Sequence, residues 1–252
     1  MIRPTALFLG LACIAISCGT KPKEDRTSVE MKQFLAESAA GCNYDSTACA
    51  RFEVNYPVFP GLDPAVQSKL QEQFNVAINS GEPASTKSME AEGKEFIDEY
   101  TDFKKQTPDY TAGWYRSVAI TLLLFNDSLL SLQLTDESYA GGAHGNYVLN
   151  FMNVRPGSGT AFLLSDFLKP GYEQDLNKIG EEVFRKNREL ADTASFEFNG
   201  YTFVDDHFAL NNNYGFSQEG ISFYFNSYEV APYVMGPTEV LIPYDRIRGW
   251  VK

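Results

Sequence analysis

The stretch WYRSVAITLLLFNDSLLSLQLTDESYAGGAHGNYVLNFMNVRPGSGTAFLL, residues 114–164, decides the fold. Val118, Ile120, Leu122 and Leu124 fall on one face of an extended chain, and Leu130, Leu132 and Leu134 repeat the pattern one segment later. Alternation with a period of two is the mark of a half-buried β-strand. Asn126-Asp127, the AGGAHGN stretch at 140–146 and PGSG at 156–159 divide the run into four candidate strands. Connections this short join antiparallel neighbours, so the stretch reads as a meander.

Upstream, RFEVNYPVF (51–59) alternates Phe52, Val54, Tyr56 and Val58 with polar residues, and Pro57 sets that strand at a sheet edge or close to its own end. Asp63-Pro64 has the form of an N-cap followed by proline at the first helical position. Val66, Leu70, Phe74, Ala77 and Ile78 then make one helical stripe, which Ser80-Gly81 ends. Met89, Phe96, Tyr100 and Phe103 mark a second helix from about Ser85 to Lys105, stopped by Thr107-Pro108.

Downstream, Leu176, Ile179, Val183 and Phe184 give a helix from about Tyr172 to Ala191. FEFNGYTF (196–203), DHFALNNNYGFSQEGISFYFN (206–226) and TEVLIPY (238–244) return to strand, and a short helical turn follows near Ile247. This order is that of an α+β protein with helices packed on mainly antiparallel sheets. A boundary near residue 137 separates two halves, 42–137 and 138–252, without a flexible linker, so the two subdomains are free to share a sheet.

The start of the chain is of another kind. MIRPTALFLGLACIAISCGTKPKED carries Arg3, an apolar run from Ala6 to Ile16, and then Ser17-Cys18 before a polar stretch. That run is too short to span a bilayer and has the length of a signal-peptide core, so residues 1–17 read as a signal peptide. The small residue before Cys18 and the polar residues after it resemble a bacterial lipobox. Cys13 is the weaker acceptor because apolar residues follow it. Acyl chains on Cys18, each CH₂ worth about 0.8 kcal/mol once buried, would tether the protein to a membrane without spanning it. Gly19, in place of an aspartate, directs the anchor to the outer membrane of a cell that has two. Residues 18–41 are polar and read as the tether.

Cys42 and Cys49 are the cysteines that remain in the folded body, and an even pair behind a signal peptide reads as a disulfide. Without residues 1–17 the side chains carry a net charge of minus 13. Such a surface excludes nucleic acid as a partner and accelerates encounters with cationic ones.

The bend YAGGAHGN (139–146) holds one of the two histidines. A phosphate loop is excluded, because no lysine follows and the next residues are strand-like. The dinucleotide fingerprint fails on the spacing of Gly141, Gly142 and Gly145, and no cofactor is expected. Ser158, in PGSG, lacks the surroundings of a nucleophile. His144, His207, Asp205 and Glu137 would have to converge to hold a metal, and nothing in their spacing asks for it. The glycines read instead as positions of positive φ or close approach, with Asn146 tolerant of left-handed geometry and His144 bonded across the bend. Tyr139, Gly141, Gly142, His144 and Asn146 are thus a structural bend or a recognition loop. Tyr228, Tyr233 and Met235, in NSYEVAPYVMGP (226–237), are either a second candidate binding patch, since aromatics enrich interface centres, or core residues packed under a turn.

The bend with its following strand, LLSDF at 163–167, and FALNNNYGFSQEGISFYFNSYEVAPYVMGPTEVLIPY at 208–244 together resemble a bacterial envelope domain of unknown function. That domain forms the extracellular part of the anti-sigma factor RsiV. The upstream half resembles the companion domain that often precedes it and occurs in some peptidoglycan deacetylases. The resemblance covers about residues 42–250. It implies a two-part α+β fold related in shape to a subdomain of the Hsp70 ATPase, without a nucleotide site. It also implies a binding role without catalysis, toward lysozyme-like hydrolases or peptidoglycan-derived ligands, since the RsiV ectodomain recognises the cationic lysozyme. No sigma-binding segment, transmembrane helix or deacetylase catalytic domain is read in these residues. The alternative is an envelope hydrolase or metal enzyme using His144 and His207.

Overall fold

A computed structural model describes residues 28–45, 47–79 and 87–252. Cys18, the signal segment, Ser80-Gly81 and the expected helix start at Ser85 lie outside the described residues. Among the described residues there are two sheets, a five-stranded one ordered β1-β2-β3-β4-β5 and a three-stranded one ordered β6-β7-β8.

β1 (Glu30–Glu37) corrects the reading of residues 18–41 as tether throughout, for it pairs antiparallel with β2 (Ala50–Val58) along its whole length. Its polar sequence hid it. Phe34 and Ala36 pack on the core while Met31 and Leu35 face outward, so too few inward apolar positions exist to show alternation. Lysine and glutamate on such an outer strand also discourage pairing with another chain.

β2 is internal, flanked by β1 and by a parallel β3 (Trp114–Phe125). Pro57 stands beyond the last parallel pair, Asn55 with Ala119, so its missing N–H leaves that ladder intact and the position marks the strand's end. The parallel pairing requires a crossover, which α1 (Pro64–Ile78) and α2 (Met89–Gln106) supply. The Asp63 carboxylate accepts from Ala65 N at 2.8 Å with Pro64 at the first position, and Val66, Leu70, Phe74 and Ile78 are buried. Ser88 caps α2. Gly93 lets that helix approach the sheet, since a Cβ there would stand 2.7 Å from the Phe34 ring.

β3, β4 (Leu130–Tyr139) and β5 (Asn146–Val154) form the expected meander, with a bulge between Leu122 and Leu124. The Asn126 side chain accepts from Ser128 N and Leu129 N and makes the first turn. The fourth candidate strand reduces to one bridge, Val154 with Ala161. There Asp166 accepts from Leu163 N at 2.8 Å and pairs with Arg155, which turns the chain into α3 (Leu164–Phe167). Residue 137 lies within β4, whose neighbours on both sides belong to the same sheet, so the sheet runs on across the expected boundary.

The second core gathers on β6 (Tyr214–Phe216), β7 (Gly220–Phe225), β8 (Thr238–Pro243) and α4 (Glu173–Asn187). FEFNGYTF is not the expected strand. A 3₁₀ turn at Glu197–Asn199 closes on the Ser195 hydroxyl and on Gly200 at φ 86°, turning Phe196, Tyr201 and Phe203 inward and leaving Phe198 91% exposed. Phe184, fully buried, has five aromatic neighbours in Phe196, Tyr201, Phe203, Phe208 and Phe225, at centroid distances of 5.1–5.9 Å.

Cys42 and Cys49 are joined, with Cα atoms 5.8 Å apart, as the sequence leads one to expect. Closing so small a loop stabilises by roughly 2.5 kcal/mol through the unfolded chain. The double variant Cys42→Ser with Cys49→Ser is therefore expected to melt about 5–10 °C lower in a calorimetric scan. An unchanged midpoint would show that the bridge contributes nothing.

Candidate functional site

The bend links Tyr139, the last residue of β4, to Asn146, the first of β5. Gly141 at φ 83° and Gly142 at φ 111° occupy backbone regions that L side chains rarely adopt. Gly145 meets the other requirement, since a Cβ there would lie 3.2 Å from the Ser138 carbonyl. The Tyr139 hydroxyl donates to Gly142 O at 3.2 Å and holds the corner.

His144 is exposed, with Nδ1 2.7 Å from Gly145 O, so that nitrogen carries the proton and donates. Its ring lies 4.2 Å from that of Tyr233 at 19°, and Tyr233 in turn stacks on Tyr228 at 5.6 Å and 30°. The Tyr233 hydroxyl reaches back to Gly145 O at 3.4 Å. Two segments far apart in sequence thus build one exposed row of three rings.

Met235 does not join that row. Its side chain packs into the second core against Gly200, while Arg188 donates to its carbonyl at 2.9 Å. Val234, 90% exposed, is presented in its place. Tyr228 itself stands at φ 68°, a left-handed conformation costly for a bulky residue and held by its surroundings.

His207 takes other partners. Its Nδ1 is 2.6 Å from Asp205 O, within a turn where Asp205 and Asp206 both have positive φ and Asp206 accepts from Glu197 N at 2.7 Å. Each histidine is tied to its own turn, and among the described residues no three metal-ligating side chains converge. Ser158 contacts Thr160 and the α1 lysine Lys69, as a turn residue does.

Beside Gly141 of the bend lie Tyr110 and Trp114, and Tyr100 packs on the Trp114 ring. Their hydroxyls and indole N–H are buried without a partner among the described residues. Gly141 covers them, with its would-be Cβ 3.5 Å from Trp114 Nε1 and 3.6 Å from the Tyr110 hydroxyl. Burial pushes both phenols above the ordinary tyrosine range. Further along, Arg116 donates to Asp136 and to Glu92, both at 2.7 Å, and to Ile78 O. Burial works to lower the pKa of this guanidinium, and the two carboxylates more than offset it, so the group stays charged.

Sequence reasoning missed the asparagines that hold the corner on the sheet. Asn213 Oδ1 accepts from Phe151 N at 2.9 Å and its Nδ2 donates to Leu149 O at 2.7 Å. Asn226 Oδ1 accepts from Leu149 N at 2.8 Å. These side chains take the place of a sixth strand along the free edge of β5 and join the two sheets. The run NNNYG was the available signal, and a turn reading absorbed it.

Residues 44–147 match the family model described as Deacetylase PdaC, and residues 165–245 match that described as Protein of unknown function (DUF3298). A comparison with curated proteins finds no match. The crystal structure of a DUF3298 family member from Bacteroides fragilis is similar over 89% of this chain and 94% of its own, at 22% identity and a TM-score of 0.64. A DUF3298 family protein from Pseudomonas aeruginosa PAO1 is similar over 92% and 97%, at 21% identity and a TM-score of 0.66. The chain therefore carries a PdaC-matching region followed by a DUF3298-matching region, the pairing that its sequence resemblance implied, on the fold of those two structures.

Proposed function

We propose that this protein is a lipid-anchored cell-envelope module that binds without catalysis, and that its partner is a cationic protein of the lysozyme type. The observation that carries this reading is the exposed row His144, Tyr233 and Tyr228, assembled from both candidate segments. Phe198, Val204 and Val234 are exposed on the turns at 197–206 and 233–235, and Met235 packs on Gly200 between two of those turns. Glu197, Asp205, Asp206 and Glu229 border the same turns, so apolar and aromatic groups stand beside carboxylates. That arrangement suits a partner whose basic rim surrounds an apolar contact. The resemblance to the RsiV ectodomain and the net charge of minus 13 beyond residue 17 support the same partner. Cys18 supplies the anchor, placed in the outer membrane where there are two. Two histidines tied to separate turns give no support to a metal or hydrolase site.

Calorimetric titration of the Cys18→Ser protein, freed from its anchor, with lysozyme tests the reading. Binding is expected at low salt and to weaken as salt rises. Tyr233→Ala is expected to lower affinity about 30-fold, the effect of losing an interface anchor worth about 2 kcal/mol. Absence of binding at low ionic strength removes lysozyme as the partner, and competition by a peptidoglycan fragment would reassign the corner to glycan.

A further inference from the structure

The helix-facing side of the large sheet is only partly covered. α2 lies over β1 and β2, and the helices leave the end of β4 and β5 from Asn146 to Met152 open, forming a groove of about 850 Å³. Leu134, Asp136, Val148, Asn150 and Met152 make its floor, Val76 and Ala77 of α1 one wall, and Asn212 and Asn213 the other. At Asp136 and Asn146 it joins a second hollow of about 390 Å³, bordered by Glu92, Glu95 and Glu99 of α2. From Met152 to Asn146 the floor is roughly 20 Å long at the rise of a strand, room for about six extended residues.

We infer that this groove binds an extended polypeptide segment bearing a lysine or arginine. Three observations choose that occupant. First, Asn146, Asn150 and Asn212 are exposed and their side-chain amides make no hydrogen bond among the described residues. Asn213 and Asn226 show what such amides do in this protein, since both pair with the extended backbone of β5. Second, Val148, Met152 and Ala77 offer apolar contact to alternate side chains of a strand lying along the floor. Third, the far end is acidic. Arg116 is consumed by Asp136 and Glu92, and Lys87 by Glu95, which leaves Glu99 without an ion-pair partner among the described residues. A basic side chain entering from the groove completes that set, and an acidic one is repelled.

The site is separate from the aromatic corner, because neither His144 nor Tyr233 lines it. An arrayed set of N-acetylated hexapeptides, alternating valine and threonine and scanned at each position with lysine, arginine or glutamate, is the probe. Fluorescence anisotropy with the Cys18→Ser protein is expected to show lysine and arginine members binding at least about tenfold tighter than glutamate members. Asn150→Ala with Asn212→Ala is expected to abolish that binding, and Glu99→Gln to reduce it about fivefold. These side chains hold nothing in the fold, so an unchanged melting midpoint accompanies the loss. Tyr233→Ala is expected to leave peptide binding intact. Equal affinity for basic and acidic members, binding by none of them, or persistence in the double asparagine variant each overturns the assignment. Failure of lysozyme binding alone sinks the earlier reading and leaves this one standing.

Discussion

Phe184→Ala is expected to destabilise the protein by about 4 kcal/mol. The side chain is fully buried and has five aromatic rings around it, drawn from the loop at 196–208 and from β7. Truncation removes both the transfer energy of a phenyl ring and the edge-to-face contacts it makes, and the neighbours come from irregular backbone that has few ways to close on the cavity. For a domain of this size the melting midpoint should fall by roughly 8–16 °C, read by calorimetry or near-ultraviolet circular dichroism. Phe184→Leu, which keeps most of the volume, should cost about 1.5 kcal/mol. A loss of under about 1 kcal/mol for the alanine variant would mean that the loop at 196–208 does not pack on α4 in solution.

That loop also marks the limit of what the sequence discloses. In FEFNGYTF the aromatics fall at 196, 198, 201 and 203, and the first two mimic the strand period. Hydrophobic spacing reports which side chains seek a core, whereas the 3₁₀ turn is set by Ser195, Asn199 and Gly200 closing the backbone on itself. The meander was legible because β3 and β4 set Val118, Ile120, Leu130, Leu132 and Leu134 into one core at every second position, so the pattern and the pairing agree. β1 was not, because a polar outer strand is defined by hydrogen bonds to β2 rather than by its own side chains. The same division applies to the candidate site. Glycine chemistry predicts the bend at 139–146, since positive φ is a local demand. The stacking of His144 on Tyr233 is a contact between segments whose approach depends on how the small sheet docks, and no local pattern carries it. Nor could it show that Met235 turns inward while Val234 turns out.

Asn213 docks the small sheet together with Asn226, Asn153 and Ser131, and Asn213→Ala is expected to cost about 3 kcal/mol. Its Oδ1 is the acceptor for Phe151 N, and its Nδ2 donates to Leu149 O and to Tyr224 O at 3.0 Å. Alanine leaves Phe151 N–H on the edge of β5 without a partner, at about 1–3 kcal/mol if it stays dry, and takes one of two donors from Leu149 O and from Tyr224 O, which keep the amides of Asn226 and Asn211. Asn213→Asp separates the two halves of this role. The carboxylate still accepts from Phe151 N but faces Leu149 O and Tyr224 O with no proton to give, so it should destabilise at neutral pH nearly as much as alanine. At acid pH a protonated carboxyl regains one donor, and the difference from the parent protein should narrow as pH falls. Chemical denaturation at two pH values checks this. A uniform cost across pH would mean that the amide N–H bonds do not hold the seam. If the amide does hold it, the alanine variant should also lose the stacking of His144 on Tyr233. The row then exists because asparagine side chains substitute for a strand, so the binding corner and the union of the two sheets have a common cause.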